Sequence, residues 1–531
     1  MVTRRTKQAN RSRTSPAVER RQRERARSKG KTIYVGDAAN GARGGRVGNI
    51  AGLGTDSTGG GRNNTPSISN VAGLGTDATD VTGQSYHDPN NTHGKKRRGK
   101  KSPTYRSRKA DQNGGALVSR RGFLYGAAAV GAVAVVGAGA GVAIYQSQSS
   151  DDEEDSSDSE VSYLEVSEDA VTSSESCTSI EAEDCLSLVG SYELPYGTMV
   201  WANDDAYAAC LLPCETSSPL TQIGLLSLAD GSYSVVVEEA AGSDEGFEIY
   251  DVRATSSGLV WTECDILDDA WRIYTAALVG GVAGTPVLAD EGDTVDWDTP
   301  TIAAVDSYAF WQVVPKTSSD LYSEGSSFKR ATMGTSDAEV IYTCRGRMAT
   351  PPYGLEGAVV ITPRLDYSTV YYQLTLLDAA TAEVEDTMTL PYSMTPLEAG
   401  YGETGFMFSF ENIYSYGDGI SNLGTYTPKT AVTDGAYSDA PWFHFYRTPT
   451  AAPAWCGSYF IVKSTSQVCG FDFDTDEYFA LELEDGCDDY GEYLASTGSR
   501  DLLVTYTNVD DDPIDGEARE CCVVKVWTPI A

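Results

Sequence analysis

Histidine is nearly missing from this chain: among 531 residues there are three, and beyond residue 93 only His444 remains. Serine- and cysteine-based hydrolysis draws on a nearby base, most often His, so that chemistry has a single candidate base here. Cysteine is absent before Cys177, and none of the 11 cysteines forms a CxxC pair, which speaks against structural zinc. No glycine-rich loop ends in Lys-Ser or Lys-Thr, so no P-loop is present. Basic residues thin out after Arg121: residues 122–531 hold 14 Lys/Arg against 68 Asp/Glu, a net of −54, whereas residues 1–121 hold 26 against 8, a net of +18. A body this acidic repels nucleic acid.

The opposed charges point to two environments rather than one globule. Between them, from Phe123 to Tyr145, run 23 residues without a charge, rich in Ala and Gly. At about 1.5 Å per residue a helix of that length spans ~30 Å of hydrocarbon. Immediately before it stands Ser119-Arg120-Arg121-Gly122-Phe123-Leu124. This hexapeptide resembles the twin-arginine (Tat) signal, whose pattern is Ser/Thr-Arg-Arg-x-Phe-Leu-Lys, with Tyr125 at the usual Lys position. The resemblance implies export of a folded domain, with Ser119, Arg120, Arg121, Phe123 and Leu124 read by the Tat translocon. Eleven basic residues between Lys95 and Arg121 precede the segment and Asp151–Asp155 follow it, so positive-inside bias places the N-terminus in the cytoplasm. The expected location is the cell membrane with the C-terminal domain outside. Ala138-Gly139-Ala140 has the form of a cleavage site, and cleavage there would give a secreted protein; the long preceding tail favours a retained anchor.

Four regions follow. Residues 1–118 read as a basic disordered tail with too few large apolar residues for a core. The tail repeats one peptide, Asn49-Ile-Ala-Gly-Leu-Gly-Thr-Asp56 and Asn70-Val-Ala-Gly-Leu-Gly-Thr-Asp77. Residues 119–145 are signal and membrane segment. Residues 146–189, rich in Ser, Asp and Glu, read as a self-repelling stalk. From 190 to 531, aromatic and β-branched residues alternate with turn signals and helical periodicity is scarce, so this region is expected to be all-β.

Apolar runs open at Gly197, Gly258, Ser307, Gly357, Gly405, Gly457 and Gly498, spaced 61, 49, 50, 48, 52 and 41 residues apart. Several are followed by a hairpin, such as Asp378-Ala-Ala-Thr-Ala-Glu383, which resembles the Asp-x-x-Thr-Gly-Glu hairpins of propeller repeats. Seven units of this length predict a seven-bladed β-propeller, with tandem β-sandwiches as the alternative. The strand around Ser191–Leu194 is then free to complete the last blade and hide its edge. Cysteines confined to the outer region are expected to form disulfides, with at least one left over.

Sites are harder to read. Asp472, Asp474 and Asp476 alternate as calcium-loop ligands do, without the Gly and Glu of an EF-hand, and Asp510–Asp512 with Asp515 and Glu517 form a second acidic cluster. No other cofactor is expected. Tyr353 after Pro351-Pro352, Tyr414, Tyr416 and Trp455 are candidates for stacking on a ligand. His444, within Trp442–Tyr446, reads as a packed or surface-exposed residue rather than a catalytic one. The expected function is a ligand-, protein- or glycan-binding module held outside the membrane. The alternative is a secreted carboxylate-based hydrolase or lyase on the same scaffold, and a third reading is a structural envelope protein.

Overall fold

The computed structural model describes residues 161–530, leaving aside 217, 266, 320, 322, 323, 368, 411–418 and 512–517. Before them it describes only the backbone of Ala128–Ala129, a two-residue strand paired with Trp297–Asp298. The basic tail, the hexapeptide Ser119–Leu124, the rest of 123–145 and residues 146–160 lie outside the described residues. Among the described residues no helix is long and apolar enough to cross a membrane.

From Met199 onward the chain builds antiparallel sheets of four or more strands, one after another. Sheet 1 holds Met199–Ala202, Tyr207–Pro213, Thr221–Ser227 and Tyr233–Val237. Sheet 2 holds Glu248–Thr255, Gly258–Asp265, Ala270–Val279 and Val287–Asp293. Sheet 3 holds Thr301–Val305, Tyr308–Val313, Ser326–Thr332 and Glu339–Cys344. Sheet 4 holds Tyr353–Leu355, Ala358–Ile361, Gln373–Asp378 and Val384–Thr389. Sheet 5 holds Glu398–Gly402, Gly405–Phe410, Gly424–Pro428 and Trp442–Phe445. Sheet 6 holds Ala454–Cys456, Tyr459–Lys463, Val468–Asp472 and Glu477–Ala480. Sheet 7 holds Tyr493–Leu494, Leu503–Asp511 and Arg519–Pro529, with Leu186–Pro195 as its fourth strand.

The burial pattern explains the sequence pattern. A sheet with one wet face alternates apolar and polar residues, whereas a strand covered on both faces reads as a continuous apolar run. Every residue of Gly258–Asp265, Ala358–Ile361 and Gly405–Phe410 is buried. These second strands lie between neighbouring sheets, and they are the runs whose spacing is visible in the sequence. In sheet 1 the matching strand is Tyr207–Pro213, not the run after Gly197, which forms the first strand. The interval from Tyr207 to Gly258 is 51 residues, in line with the other repeats.

The core is a succession of contacts between sheets rather than one or two sandwich interiors. Leu225, Val252 and Trp261 join sheets 1 and 2. Val260, Trp311 and Ile302 join sheets 2 and 3. Phe310, Val359 and Leu377 join 3 and 4. A larger cluster runs through 4, 5 and 6, and Ile461, Leu481 and Leu503 join 6 and 7. Finally Val504, Cys522 and Val524 of sheet 7 pack on Val200, Ala208 and Cys210 of sheet 1. The last sheet therefore meets the first, which is a β-propeller arrangement and not tandem sandwiches.

Closure uses the N-terminal strand as the sequence suggests. Leu186–Pro195 pairs antiparallel with Arg519–Pro529, Leu194 opposite Cys522. Residues of the stretch read from composition as a stalk also pack onto the sheets. Leu164 donates its amide to Thr389 at the edge of sheet 4, at 2.8 Å. Val171–Ser173 then adds a parallel strand outside Trp442–His444, and Thr178–Ser179 does the same outside Glu477–Tyr478. Residues 161–185 form a belt along sheets 4, 5 and 6, held by Leu164, Val166 and Cys185, all buried. Sparse apolar anchors within a Ser/Glu-rich stretch give weak signals, which is why composition reads it as stalk.

The expected disulfides are not present. All 11 cysteines are described and all are free. Most are packing residues on strands covered by the next sheet, and burial pushes the thiols of Cys210, Cys264, Cys456 and Cys469 up to about 12.

Candidate functional site

The residues singled out in the sequence have mostly structural partners. His444 is buried, stacks on Tyr426 at 4.4 Å between ring centroids and lies 3.1 Å from the Leu423 carbonyl through Nε2; burial lowers its pKa. It packs within sheet 5. Asp472 caps its own hairpin, accepting from the Asp474 amide at 2.8 Å and the Thr475 amide at 3.3 Å, and Asp476 pairs with Lys429 at 2.5 Å. Among the described residues no three Asp, Glu, His or Cys side chains are grouped to hold a metal ion. Of the second acidic cluster, Asp512, Asp515 and Glu517 lie outside the described residues. Trp455 is buried against Phe460 and Phe473. Tyr353 is buried as well, and Tyr414 and Tyr416 lie outside the described residues.

A different constellation emerges where the first strand of each sheet turns into the second. These turns share one end of the ring because first and second strands are antiparallel and innermost in every sheet. They are short: 203–206, 256–257, 306–307, 356–357, 403–404 and 457–458, with 495–502 in sheet 7. Tight turns need a residue with positive φ, supplied by Asp306 at 51° and Gly357 at 72°.

The long turn of sheet 7 crosses the middle. The Ala202 amide donates to the Ala495 carbonyl at 3.0 Å, tying it to sheet 1. The Gly498 amide donates to the Tyr353 hydroxyl of sheet 4 at 2.6 Å, and that hydroxyl donates onward to the Pro453 carbonyl at 2.7 Å. Ser499–Arg500 then pairs parallel with Trp455–Cys456, the innermost strand of sheet 6. Gly498 has φ +76°, and a Cβ there would lie 3.0 Å from that of Leu355, so this close approach needs glycine. A segment bonded to sheets 1, 4 and 6 therefore bridges the ring at this end and, with the short turns around it, makes up its mouth.

Arg500 lies on that segment. Its Nε donates to the Thr497 carbonyl at 2.7 Å and its Nη2 to the Asn203 carbonyl. The Arg500 charge is felt by Asp205 of sheet 1 and Asp306 of sheet 3; Asp204 and Glu356 lie close enough to act on both of these carboxyls, and Asp501 on Asp205. Asp204 holds its own turn, accepting from the Ala206 and Tyr207 amides at 2.9 and 3.1 Å and from the Ser256 amide. Asp205, Asp306, Glu356 and Asp501 are exposed. Partial desolvation raises the carboxyls of Asp205 and Asp306 above the usual range; Arg500 opposes the rise, and neighbouring carboxylates add to it. Five carboxylates against one guanidinium leave the mouth at −4. At its wall, Asn203 is 7% exposed with an Oδ1 that has no hydrogen-bond partner.

Such a mouth attracts cationic groups and repels anions. The sequence reading missed it because its members lie almost 300 residues apart. A signal was present all the same: once the repeats are aligned on their second strands, an Asp or Glu occupies this turn in sheets 1, 3, 4, 5 and 7, at Asp204–Asp205, Asp306, Glu356, Glu403 and Asp501.

The fold and this site define a class: a β-propeller with a bridged, carboxylate-ringed mouth. No family model matches the chain, and no curated protein does. Among solved structures it is similar to the β-propeller domain of the Trilobed protease from Pyrococcus furiosus, at 9% identity and TM-score 0.36 over 62% of this chain and 97% of that one. The WD40 domain of SCAP from fission yeast matches at 7% identity and TM-score 0.31, over 65% and 98%. A prolyl endopeptidase structure matches at 11% identity and TM-score 0.35, over 63% and 46%. The chain spans about half the length of the peptidases it matches, and likenesses this low carry no argument about activity.

Proposed function

We propose that this chain is a membrane-tethered or exported propeller of seven blades, one per sheet, that binds a cationic ligand at its carboxylate-ringed mouth without turning it over. The favoured ligand is a protein or peptide segment rich in Lys and Arg. The observation that carries this reading is the grouping of Asp204, Asp205, Asp306, Glu356 and Asp501 with Arg500, where residues 495–500 bridge the ring. Export is supported by Ser119–Leu124 ahead of an uncharged segment and by the change of charge across it. The cysteines, being free, lend it no support.

Calorimetric titration of the full chain with hexalysine tests the proposal. Binding is expected to weaken at least tenfold in the triple variant Asp205→Asn, Asp306→Asn, Glu356→Gln, and to fall steeply with added salt. It is also expected to fade as pH drops, beginning above the ordinary aspartate range because two of the carboxyls are raised. Equal affinity in the triple variant would refute the mouth as the site. The raised carboxyls also favour a second reading, a carboxylate-based hydrolase. Turnover of a chromogenic glycoside, abolished by Asp205→Asn or Asp306→Asn, would replace binding with catalysis.

A further inference from the structure

On the opposite end of the ring, four tyrosines from separate stretches of chain meet at the surface of sheet 4. Tyr367 and Tyr371 lie in the loop between its second and third strands. Tyr392 follows its fourth strand, and Tyr163 arrives at the start of the belt. Tyr371 is the hub. Its ring centroid lies 6.0 Å from Tyr163, stacked at 28°, 6.3 Å from Tyr367, edge-on at 76°, and 6.1 Å from Tyr392, tilted at 58°.

These rings differ from the blade-packing aromatics. Trp261, Phe310, Phe408 and Trp442 are fully buried, whereas Tyr163, Tyr367 and Tyr392 are 36%, 40% and 56% exposed. Single exposed aromatics are ordinary, but a contiguous group of them marks a contact surface. The backbone beneath is fixed in advance. Leu365 donates its amide to the Tyr371 carbonyl at 3.0 Å, Ser393 to Val370 at 3.1 Å and Leu164 to Thr389 at 2.8 Å. Rings held in place lose little freedom when a ligand arrives.

We propose that this tyrosine platform binds a neutral polysaccharide. Ring faces at three inclinations suit the C–H faces of successive pyranose units, while the phenolic hydroxyls offer donors and acceptors to sugar hydroxyls. At the rim, Asp366 and Arg345, paired at 3.0 Å and both exposed, add a carboxylate and a guanidinium of the kind that hydrogen-bond vicinal hydroxyls. The ligand is neutral because residues 122–531 carry a net charge of −54, which disfavours uronate- or sulfate-bearing chains. The platform stands apart from the mouth and does not depend on its ligand.

Affinity electrophoresis of the full chain through gels containing mannan, starch, hydroxyethylcellulose, galactan or alginate tests this. Retardation is expected in at least one neutral gel and not in alginate. In that gel the Tyr367→Ala/Tyr392→Ala variant should lose at least tenfold in affinity, the double Phe variant should lose less, and the mouth variants should match the wild type. Both rings are exposed, so an unchanged unfolding midpoint in the double Ala variant separates lost binding from lost fold. No retardation in any neutral gel, retardation only in alginate, or undiminished retardation of the double Ala variant overturns the proposal. Capture of a protein through the same rings, without glycan binding, also overturns it.

Discussion

Sheets 5 and 6 differ from sheets 2, 3 and 4 at the outer edge, and the difference follows residue chemistry. The outer strands Trp442–Phe445 and Glu477–Ala480 are largely buried, and each carries an added parallel strand from the belt. The outer strands Val287–Asp293, Glu339–Cys344 and Val384–Thr389 have no strand beyond them among the described residues, and they present the exposed carboxylates of Glu291, Glu339 and Glu385. An open edge invites pairing with another chain, and charge or a cover prevents it. Of these five edges, the two apolar ones carry an added strand and the three acidic ones do not. Sheet 1 is intermediate: Tyr233–Val237 is uncharged and bare, followed by Glu238 and Glu239.

The comparison can be broken most severely at the closure. Deleting residues 186–195 removes the fourth strand of sheet 7 and uncovers the strand Arg519–Pro529. The expected outcome is loss of cooperative unfolding in a thermal melt; a melt like that of the full chain would show that closure does not hold the ring.

The next largest effect lies within the belted half. Arg447 is buried and binds both oxygens of Glu398 from the first strand of sheet 5, with Nε donating to Thr425 Oγ1 at 2.7 Å and Nη2 to Ser409 Oγ at 3.2 Å. Breaking a buried pair leaves one charge uncompensated, at a cost of about 3–5 kcal/mol. Arg447→Met is therefore expected to destabilise by that amount in denaturant titration. Replacing Glu398 by Gln together with Arg447 by Met should recover part of the loss.

In the bare half, Asp298 pairs with Arg347 at 2.8 Å, and burial raises its carboxyl to about 6 despite that partner. A carboxyl raised on folding favours the folded state when protonated. Its contribution is fully present below the unfolded pKa near 4 and is lost as pH rises through about 6. Stability should thus fall on the order of 2–3 kcal/mol from this group between about pH 4 and 6. Asp298→Asn should flatten that slope in melts taken at a series of pH values.

The smallest effect is the most selective. Deleting residues 1–180 removes the belt over sheets 5 and 6 but keeps Leu186–Pro195. Amide exchange should quicken in Trp442–Phe445 and Glu477–Ala480 and stay unchanged in Glu339–Cys344, with concentration-dependent association appearing. Uniform quickening would mean that the belt supports the whole ring.

Much of this fold is legible in the residues. Doubly covered second strands such as Gly258–Asp265 and Gly405–Phe410 stand out as unbroken apolar runs, and their recurrence gives the repeat. The belt is illegible by composition because Leu164, Val166 and Val171 are isolated among Ser, Glu and Asp. The eleven thiols mislead because cysteine is also a small packing residue. Both candidate sites depend on the ring itself. Asp204 and Asp501 come together only through the turn of sheet 7, and Tyr163 meets Tyr392 only because the belt ends on sheet 4.

The mouth is tested most directly by zero-length carbodiimide coupling of hexalysine to the full chain, followed by mapping of the amide bonds. The expected acceptors are Asp205, Asp306, Glu356 and Asp501, favoured well above the other exposed carboxylates. Coupling spread evenly over the acidic surface, with no preference for these four, would contradict a built cationic site.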